Sequence, residues 1–197
     1  YVVDNAPTIG GVMAQLDKTF PTNDCSMCIM SPKLVETGRH LNIRIISNAD
    51  VEEVEGVPGR FTATVTKKPR YIHLDKCTGC GECAKHCPVS AIDTDNERRS
   101  KRAAVYIKYP QAIPKVFLID RELCIGCGLC ERVCLAKAVN YGDKQTTEKI
   151  EVGSIILSPG YEVFDAHLRQ EFGYGSYPNV VSSIEFERLL SATGPHR

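Results

Sequence analysis

The 197-residue sequence has no net charge: 24 lysines and arginines balance 24 aspartates and glutamates. No overall field therefore draws the chain towards nucleic acid or an anionic membrane surface. It also lacks a long apolar run. Stretches such as Ile155-Ile156-Leu157 fall far short of the ~20 residues that span a bilayer. There is no secretory signal, no initiator methionine and no polar leader. The opening YVVDNAP has the texture of a strand interior, so the sequence reads as an excerpt of a longer protein. At 43% hydrophobic residues, the chain suffices for one large or two small globular domains.

Cysteine, by contrast, is abundant. Eight of the ten fall in two sets, CTGCGECAKHCPVSAI at 77–92 and CIGCGLCERVCLAKAV at 124–139. Cys77, Cys80, Cys83 and Cys87 match Cys124, Cys127, Cys130 and Cys134 at an offset of 47 positions, and Ala91-Ile92 matches Ala138-Val139. Because the likeness outlasts the cysteines, it marks a duplicated structural unit. A disulfide scaffold fits poorly, since C-x2-C-x2-C cannot pair with itself without strain. Structural zinc uses isolated C-x2-C pairs. Four thiolates at this spacing suit a 4Fe-4S cubane, with Gly79, Gly81, Gly126 and Gly128 giving the tight turns that bring amides towards sulfur. In two-cluster ferredoxins the fourth cysteine of each set ligates the other cluster. Cys77, Cys80, Cys83 and Cys134 are thus expected to hold one cluster, and Cys124, Cys127, Cys130 and Cys87 the second. Thiolates held by metal point to a reducing cytosol. Pro88 follows the first set and Leu135 the second, an exchange expected to loosen the backbone at Cys134 without removing the ligand. Four thiolates suffice, so His73 and His86 read as surface or packing residues. Arg98, Arg99, Lys101 and Arg102 read as a solvated loop, or else as a dock for an acidic electron partner.

The flanks have an α/β texture. Val2-Val3 ends a strand, Gly10-Gly11 turns the chain, and a short helix is expected from Ser31-Pro32 to Gly38. Leu41, Ile43 and Ile45 alternate as in a half-exposed strand, and VEEVEGVPGRFTATVT reads as a hairpin around Val57-Pro58-Gly59. KVFLID, between the cysteine sets, reads as a strand. EVGSIILSPGYE reads as a buried strand ending in a Pro-Gly turn. SSIEFERLLSATGP carries a capping box, Ser182 with Glu185, and a Gly194-Pro195 stop. The expected class is α+β: a two-cluster ferredoxin-like domain at 71–148 inserted into an incomplete α/β domain made of 1–70 and 149–197. Asp4, after Val2-Val3, stands where an acid of a dinucleotide fold bonds ribose hydroxyls. The G-x-G-x-x-G that normally precedes such an acid is missing, and with it the helix terminus that holds a pyrophosphate.

Asp4 with Gly10-Gly11 resembles the acid-x5-Gly-Gly element of two-dinucleotide flavoproteins. GGVMAQLDKTFPTNDCSMCIMSPKLVETGRH, the two cysteine sets and YPNVVSSIEFERLLSATGP together resemble, in order and over nearly the whole chain, the A-subunit family of heterodisulfide reductase. That resemblance implies a thioredoxin-reductase-like FAD-binding domain interrupted by a ferredoxin domain with two 4Fe-4S clusters. It implies a cytoplasmic iron-sulfur flavoprotein, an oxidoreductase subunit of methanogenesis and related anaerobic metabolism. Its partners would be the other subunits of the complex, with ferredoxin, a hydrogenase or a dehydrogenase as electron donor. Its flavin could bifurcate electron pairs, one electron going to a disulfide and one to ferredoxin, with the disulfide itself reduced on another subunit. By position, Asp4, Gly10 and Gly11 would approach the FAD. Ser158-Pro159-Gly160 stands where related flavoproteins often carry Ala-Thr-Gly, so Pro159 removes a hydroxyl there. Lys33 either approaches the isoalloxazine or is a surface lysine. Cys25 and Cys28 have three readings: ligands of a further cluster, a redox disulfide like that of the glutathione-reductase class, or two buried thiols. No residue is assigned as acid, base or nucleophile. Two rival functions are a free-standing ferredoxin-type carrier without catalytic flavin and a structural zinc module.

Overall fold

The computed structural model of the chain describes residues 1–160 and 162–196. Tyr161, inside the segment EVGSIILSPGYE, and Arg197 lie outside the described residues. β1 (Val2–Asp4) leads through a loop and a 3-10 turn at Gly11–Gln15 to a small hairpin, β2 (Lys18–Thr19) with β3 (Asp24–Cys25). α1 (Ser26–Arg39) follows. It begins five residues before the expected Ser31-Pro32 start. Cys25 is the reason: its sulfur accepts the Cys28 N–H at 3.2 Å, acting as the N-cap. Pro32 therefore lies inside the helix. Ser26, Met30 and Leu34, four apart, form its buried face against Ile9, Ala14, Tyr109 and Ala112. The strand expected over Leu41–Ile45 is shorter and later: β4 (Ile45–Ser47) pairs in parallel with β1, and Leu41 is fully exposed.

β5 (Ala49–Val57) and β6 (Arg60–Lys67) form the expected hairpin around Pro58-Gly59. The turn demands glycine at Gly56, where φ is +114° and a Cβ would meet the Arg60 carbonyl at 2.2 Å. Residues 68–145 then leave the sheet and carry both cysteine sets. In order they form α2 (Glu82–Lys85), the hairpin of β7 (Ala91–Asp93) with β8 (Ser100–Arg102), the pair β9 (Val105–Tyr106) and β10 (Leu118–Ile119), and α3 (Leu129–Val133). KVFLID contributes only the two residues of β10. The start of the first half meets the end of the second through an Ile72–Val139 bridge, and both halves close over Ile72, Val105, Val116, Phe117 and Ile119.

The chain rejoins the sheet at β11 (Thr146–Val152), antiparallel to β6, with Thr146 opposite Lys67 and Val152 opposite Phe61. Ile46, Ala49, Val65 and Ile150 are the core beneath this sheet. Here the expected long buried strand is corrected. β11 ends at Val152, opposite Phe61 and one residue short of the start of β6 at the Pro58-Gly59 turn, and Ile156 and Leu157 beyond it are 89% and 84% exposed. α4 (Ser183–Leu190) carries the expected capping box, with Ser182 Oγ accepting from Glu185 N–H and the Glu185 carboxylate accepting from Ser182 N–H. It ends at Leu190, four residues before the Gly194 stop.

Candidate metal centre

Each cysteine loop is shaped by the same backbone bonds, 47 positions apart. The N–H of Cys77 donates to His73 O (3.1 Å), as Cys124 does to Asp120 O (3.0 Å). Cys87 donates to Ala84 O (3.3 Å), as Cys134 does to Glu131 O (3.2 Å). Gly81 and Gly128 cap α2 and α3 from the left-handed region, at φ 85° and 73°. The sequence repeat is thus a repeat of structure. The exit after Cys134, expected to be loose without a proline, is tied by hydrogen bonds: Lys137 N–H to Cys134 O at 3.0 Å and Ala138 N–H to Cys134 Sγ at 3.3 Å.

The eight cysteines of the two sets are free thiols. One small hollow is lined by Cys124, Cys127 and Cys130 of the second set together with Cys87 of the first, against Val105 and Tyr141. Cys77, Cys83 and Cys134 pack on the same apolar core, with α2 beside α3. Among the described residues no three His, Cys, Asp or Glu side chains converge tightly enough to hold a single ion. Three thiols of one set and one of the other border this hollow, the crossed donor set of a two-cluster ferredoxin. Burial, with the neighbouring Cys77 second, pushes the Cys83 thiol up to about 12. Metal ligation is the chemistry that takes a proton from such a thiol. The middle cysteines, Cys80 and Cys127, are exposed, while Cys130 is buried. The Tyr141 hydroxyl stands 3.1 Å from Cys130 Sγ, and burial beside that sulfur raises its pKa.

Among the described residues neither histidine ring hydrogen-bonds to a cysteine. His86 Nδ1 lies 2.9 Å from Glu82 O on its own helix, and His73 is engaged through its backbone with Ala138 O. The basic run is not simply a solvated loop. Arg99 pairs with Glu185 of α4 at 2.6 Å, and Arg102 pairs with Asp120 at 2.8 Å while stacking 3.8 Å over Tyr106. Cys25 and Cys28 are joined to each other, with Cys28 exposed, which corrects the reading of two buried thiols.

A second feature is a cleft of about 430 Å³ that brings together Asp4, Gly11 and Ser158-Pro159-Gly160. Asp4 ends a parallel strand, and one of its carboxylate oxygens accepts the Ala6 N–H at 2.9 Å. Gly10 stands behind the cleft: at φ +121°, a Cβ there would lie 2.7 Å from the Tyr109 hydroxyl. Thr8, beside the cleft, is buried. An acid at the end of a parallel strand, facing a cleft, suits the ribose of a dinucleotide. Lys33 is elsewhere, on the exposed face of α1, 3.4 Å from Glu36. The sequence reading missed Asp95, Lys108, Tyr109 and Arg188, which reach the cleft from the cysteine-rich region and from α4. No local motif marks them, because only the tertiary fold brings them there.

The family described as a 4Fe-4S dicluster domain matches residues 76–138, a span that contains all eight free cysteines. No helix among the described residues is long and apolar enough to cross a membrane. The chain is 51% identical over 194 residues, 98% of its length, to the second of the iron-sulfur A-subunits of CoB–CoM heterodisulfide reductase in Methanopyrus kandleri. It is 46% identical over 195 residues to the A-subunit of the H2:CoB-CoM heterodisulfide,ferredoxin reductase of Methanothermobacter thermautotrophicus, covering 99% of the chain. It is 42% identical over 195 residues, 98% of its length, to the A-subunit of the ferredoxin:CoB-CoM heterodisulfide reductase of Methanosarcina mazei. It spans about 30% of the length of the first two relatives and 25% of the third. With a dicluster unit at its centre and homology from end to end, the chain belongs to the heterodisulfide reductase A-subunit family and corresponds to one segment of that iron-sulfur protein.

Proposed function

We propose that the chain is the part of an oxidoreductase subunit in which single electrons pass between an FAD and outside redox partners by way of two 4Fe-4S clusters. Residues 71–148 would form the cluster domain, and 1–70 with 149–197 parts of the FAD-binding domain into which it is inserted. The observation that carries the reading is the hollow lined by Cys124, Cys127, Cys130 and Cys87, the crossed set that a two-cluster ferredoxin requires. The clusters, when bound, supply one-electron chemistry at potentials set by their surroundings. The chain's own residues hold and insulate them. Ile72, Val105 and Phe117 exclude water from the inner side, while Cys80 and Cys127 lie where a partner could exchange an electron. Asp4, Gly10, Gly11, Ser158, Pro159 and Gly160 would shape the FAD side.

In the whole protein we assign this unit to a heterodisulfide reductase-type complex. Its donor would be ferredoxin, a hydrogenase or a dehydrogenase, its flavin the point of electron bifurcation, and disulfide reduction the task of another subunit. The names of the relatives, which join CoB-CoM heterodisulfide with ferredoxin, support this assignment. The test is iron content in the full-length protein purified anaerobically. Cys87→Ser is expected to lower iron by about four atoms per chain, one cubane's worth. It should abolish the same EPR signal as Cys127→Ser and spare the signal lost in Cys80→Ser. Unchanged iron in Cys87→Ser, or loss of the signal that depends on Cys80, would refute crossed ligation. A full-length protein that retained no flavin would favour the free-standing carrier.

A further inference from the structure

We propose that Tyr141 is a positioning residue that raises the reduction potential of the cluster held by Cys124, Cys127, Cys130 and Cys87, so that the two duplicated sites are not equal. The proposal rests on the cluster reading above. Its basis is the 3.1 Å approach of the Tyr141 hydroxyl to Cys130 Sγ. A cysteine bound to a cluster is a thiolate with no proton to give, so the phenol is the donor. Cys130 is only 6% exposed, and Tyr141 packs half-buried on the core around Ile72, Val105 and Phe117. Water is poorly placed to compete for the sulfur, and a hydrogen bond there is correspondingly strong.

The internal repeat supplies a comparison within one molecule. At the offset of 47, Cys130 corresponds to Cys83 and Tyr141 to Thr94. Thr94 opens the 3-10 turn Thr94–Asn96, and its hydroxyl, one bond beyond Cβ, has nothing like the reach of a phenol. A weaker difference has the same sense. Arg121, with a guanidinium nitrogen 4.0 Å from Cys124 Sγ, corresponds to Leu74. That contact is exposed and screened by salt, so the buried phenol is the larger effect. A donor on a ligand sulfur draws negative charge from it and favours the form carrying one more electron. One electron enters and no proton moves, because the phenol keeps its own.

The test is an EPR-monitored anaerobic titration of the full-length holoprotein, with dithionite as reductant and redox mediators. The signal lost in Cys87→Ser identifies the cluster concerned. Tyr141→Phe is expected to shift that cluster's reduction equilibrium about tenfold towards the oxidised form, which is about 59 mV more negative for one electron. The cluster that depends on Cys80 should keep its potential. Site-specific 3-fluorotyrosine at 141, a stronger donor, should move the same potential the other way, a reversal that mere packing would not produce. Iron content keeps the two ideas apart: a wild-type protein without iron defeats the cluster reading itself. Full iron with an unmoved potential in Tyr141→Phe, or with equal shifts at both clusters, overturns the role of Tyr141. Should the phenylalanine protein lose its iron, the fluorotyrosine protein decides, and no positive shift there overturns the proposal.

Discussion

Arg188 is expected to be the main fastening between α4 and the cysteine-rich region. The side chain is 3% exposed. Its Nε and Nη2 donate to Asn96 Oδ1 at 3.0 and 2.7 Å, its Nη1 to Gln15 O at 2.8 Å, and its Nη2 to Thr193 O at 2.6 Å. One guanidinium thus ties α4 to the 3-10 turn at Gly11–Gln15 and to the loop between β7 and β8. Arg188→Met keeps the apolar stem and removes every donor. Each acceptor stranded without water costs about 1–3 kcal/mol. Against this, the variant no longer desolvates a cation, a real saving because burial already lowers the pKa of Arg188. The net loss is about 3 kcal/mol, or roughly a hundredfold in a local opening equilibrium. Hydrogen exchange on the full-length protein measures that opening directly. Amides of Ser183–Leu190 should exchange roughly a hundredfold faster, and those of the β5–β6 hairpin should be unchanged. Arg188→Lys keeps the charge but not the planar fork and should fall between the two. Protection of α4 within about twofold of the native value in Arg188→Met would show that helix packing, not the guanidinium, holds α4 in place.

Two further outcomes follow from the geometry of the sites. Gly10→Ala should lower flavin retention of the full-length protein and cost about 1–3 kcal/mol in stability, because a Cβ at φ +121° meets the Tyr109 hydroxyl at 2.7 Å; retention equal to native would remove Gly10 from the cleft's architecture. In iron-free protein, Cys80, which is exposed, should be alkylated at pH 8 well before Cys83, whose thiol at about 12 leaves only about one part in ten thousand as thiolate. The Cys83 rate should climb about tenfold per pH unit up to that range, and equal rates at pH 8, read by mass spectrometry, would contradict its burial.

The cysteine chemistry was legible because it is written locally. Cysteine spacing, the glycines between the cysteines and the 47-residue repeat can all be read directly along the chain, and the repeat reappears in the backbone bonds at Cys77 and Cys124. The β5–β6 turn and the Ser182 capping box were legible for the same reason. What escaped depended on partners distant in sequence. Ile155-Ile156-Leu157 has the composition of a buried strand, but β11 ends at Val152, beside the turn that opens β6, and the three residues beyond it lie exposed. The start of α1 was hidden because a cysteine, not the usual serine or aspartate, caps it, and because Pro32, a residue that favours the first helical turn, sits inside the helix. The basic run read as solvent-facing until Glu185 and Asp120, 86 and 18 positions from their arginines, came alongside.

The meeting of Lys67 with Thr146 across one strand spacing, with residues 68–145 strung between them, has a consequence for how such a chain could arise. A polypeptide that departs and returns through a single gap of about 5 Å makes no geometric demand on the sheet it leaves. Closing so long an excursion, relative to a four-residue turn, costs only about 2–3 kcal/mol of chain entropy, since the penalty grows with the logarithm of length. The pairing of β6 with β11 thus tolerates an excursion of almost any length, but Tyr109 and Ala112 of this one pack back against α1, so whatever took its place would have to fill that core as well.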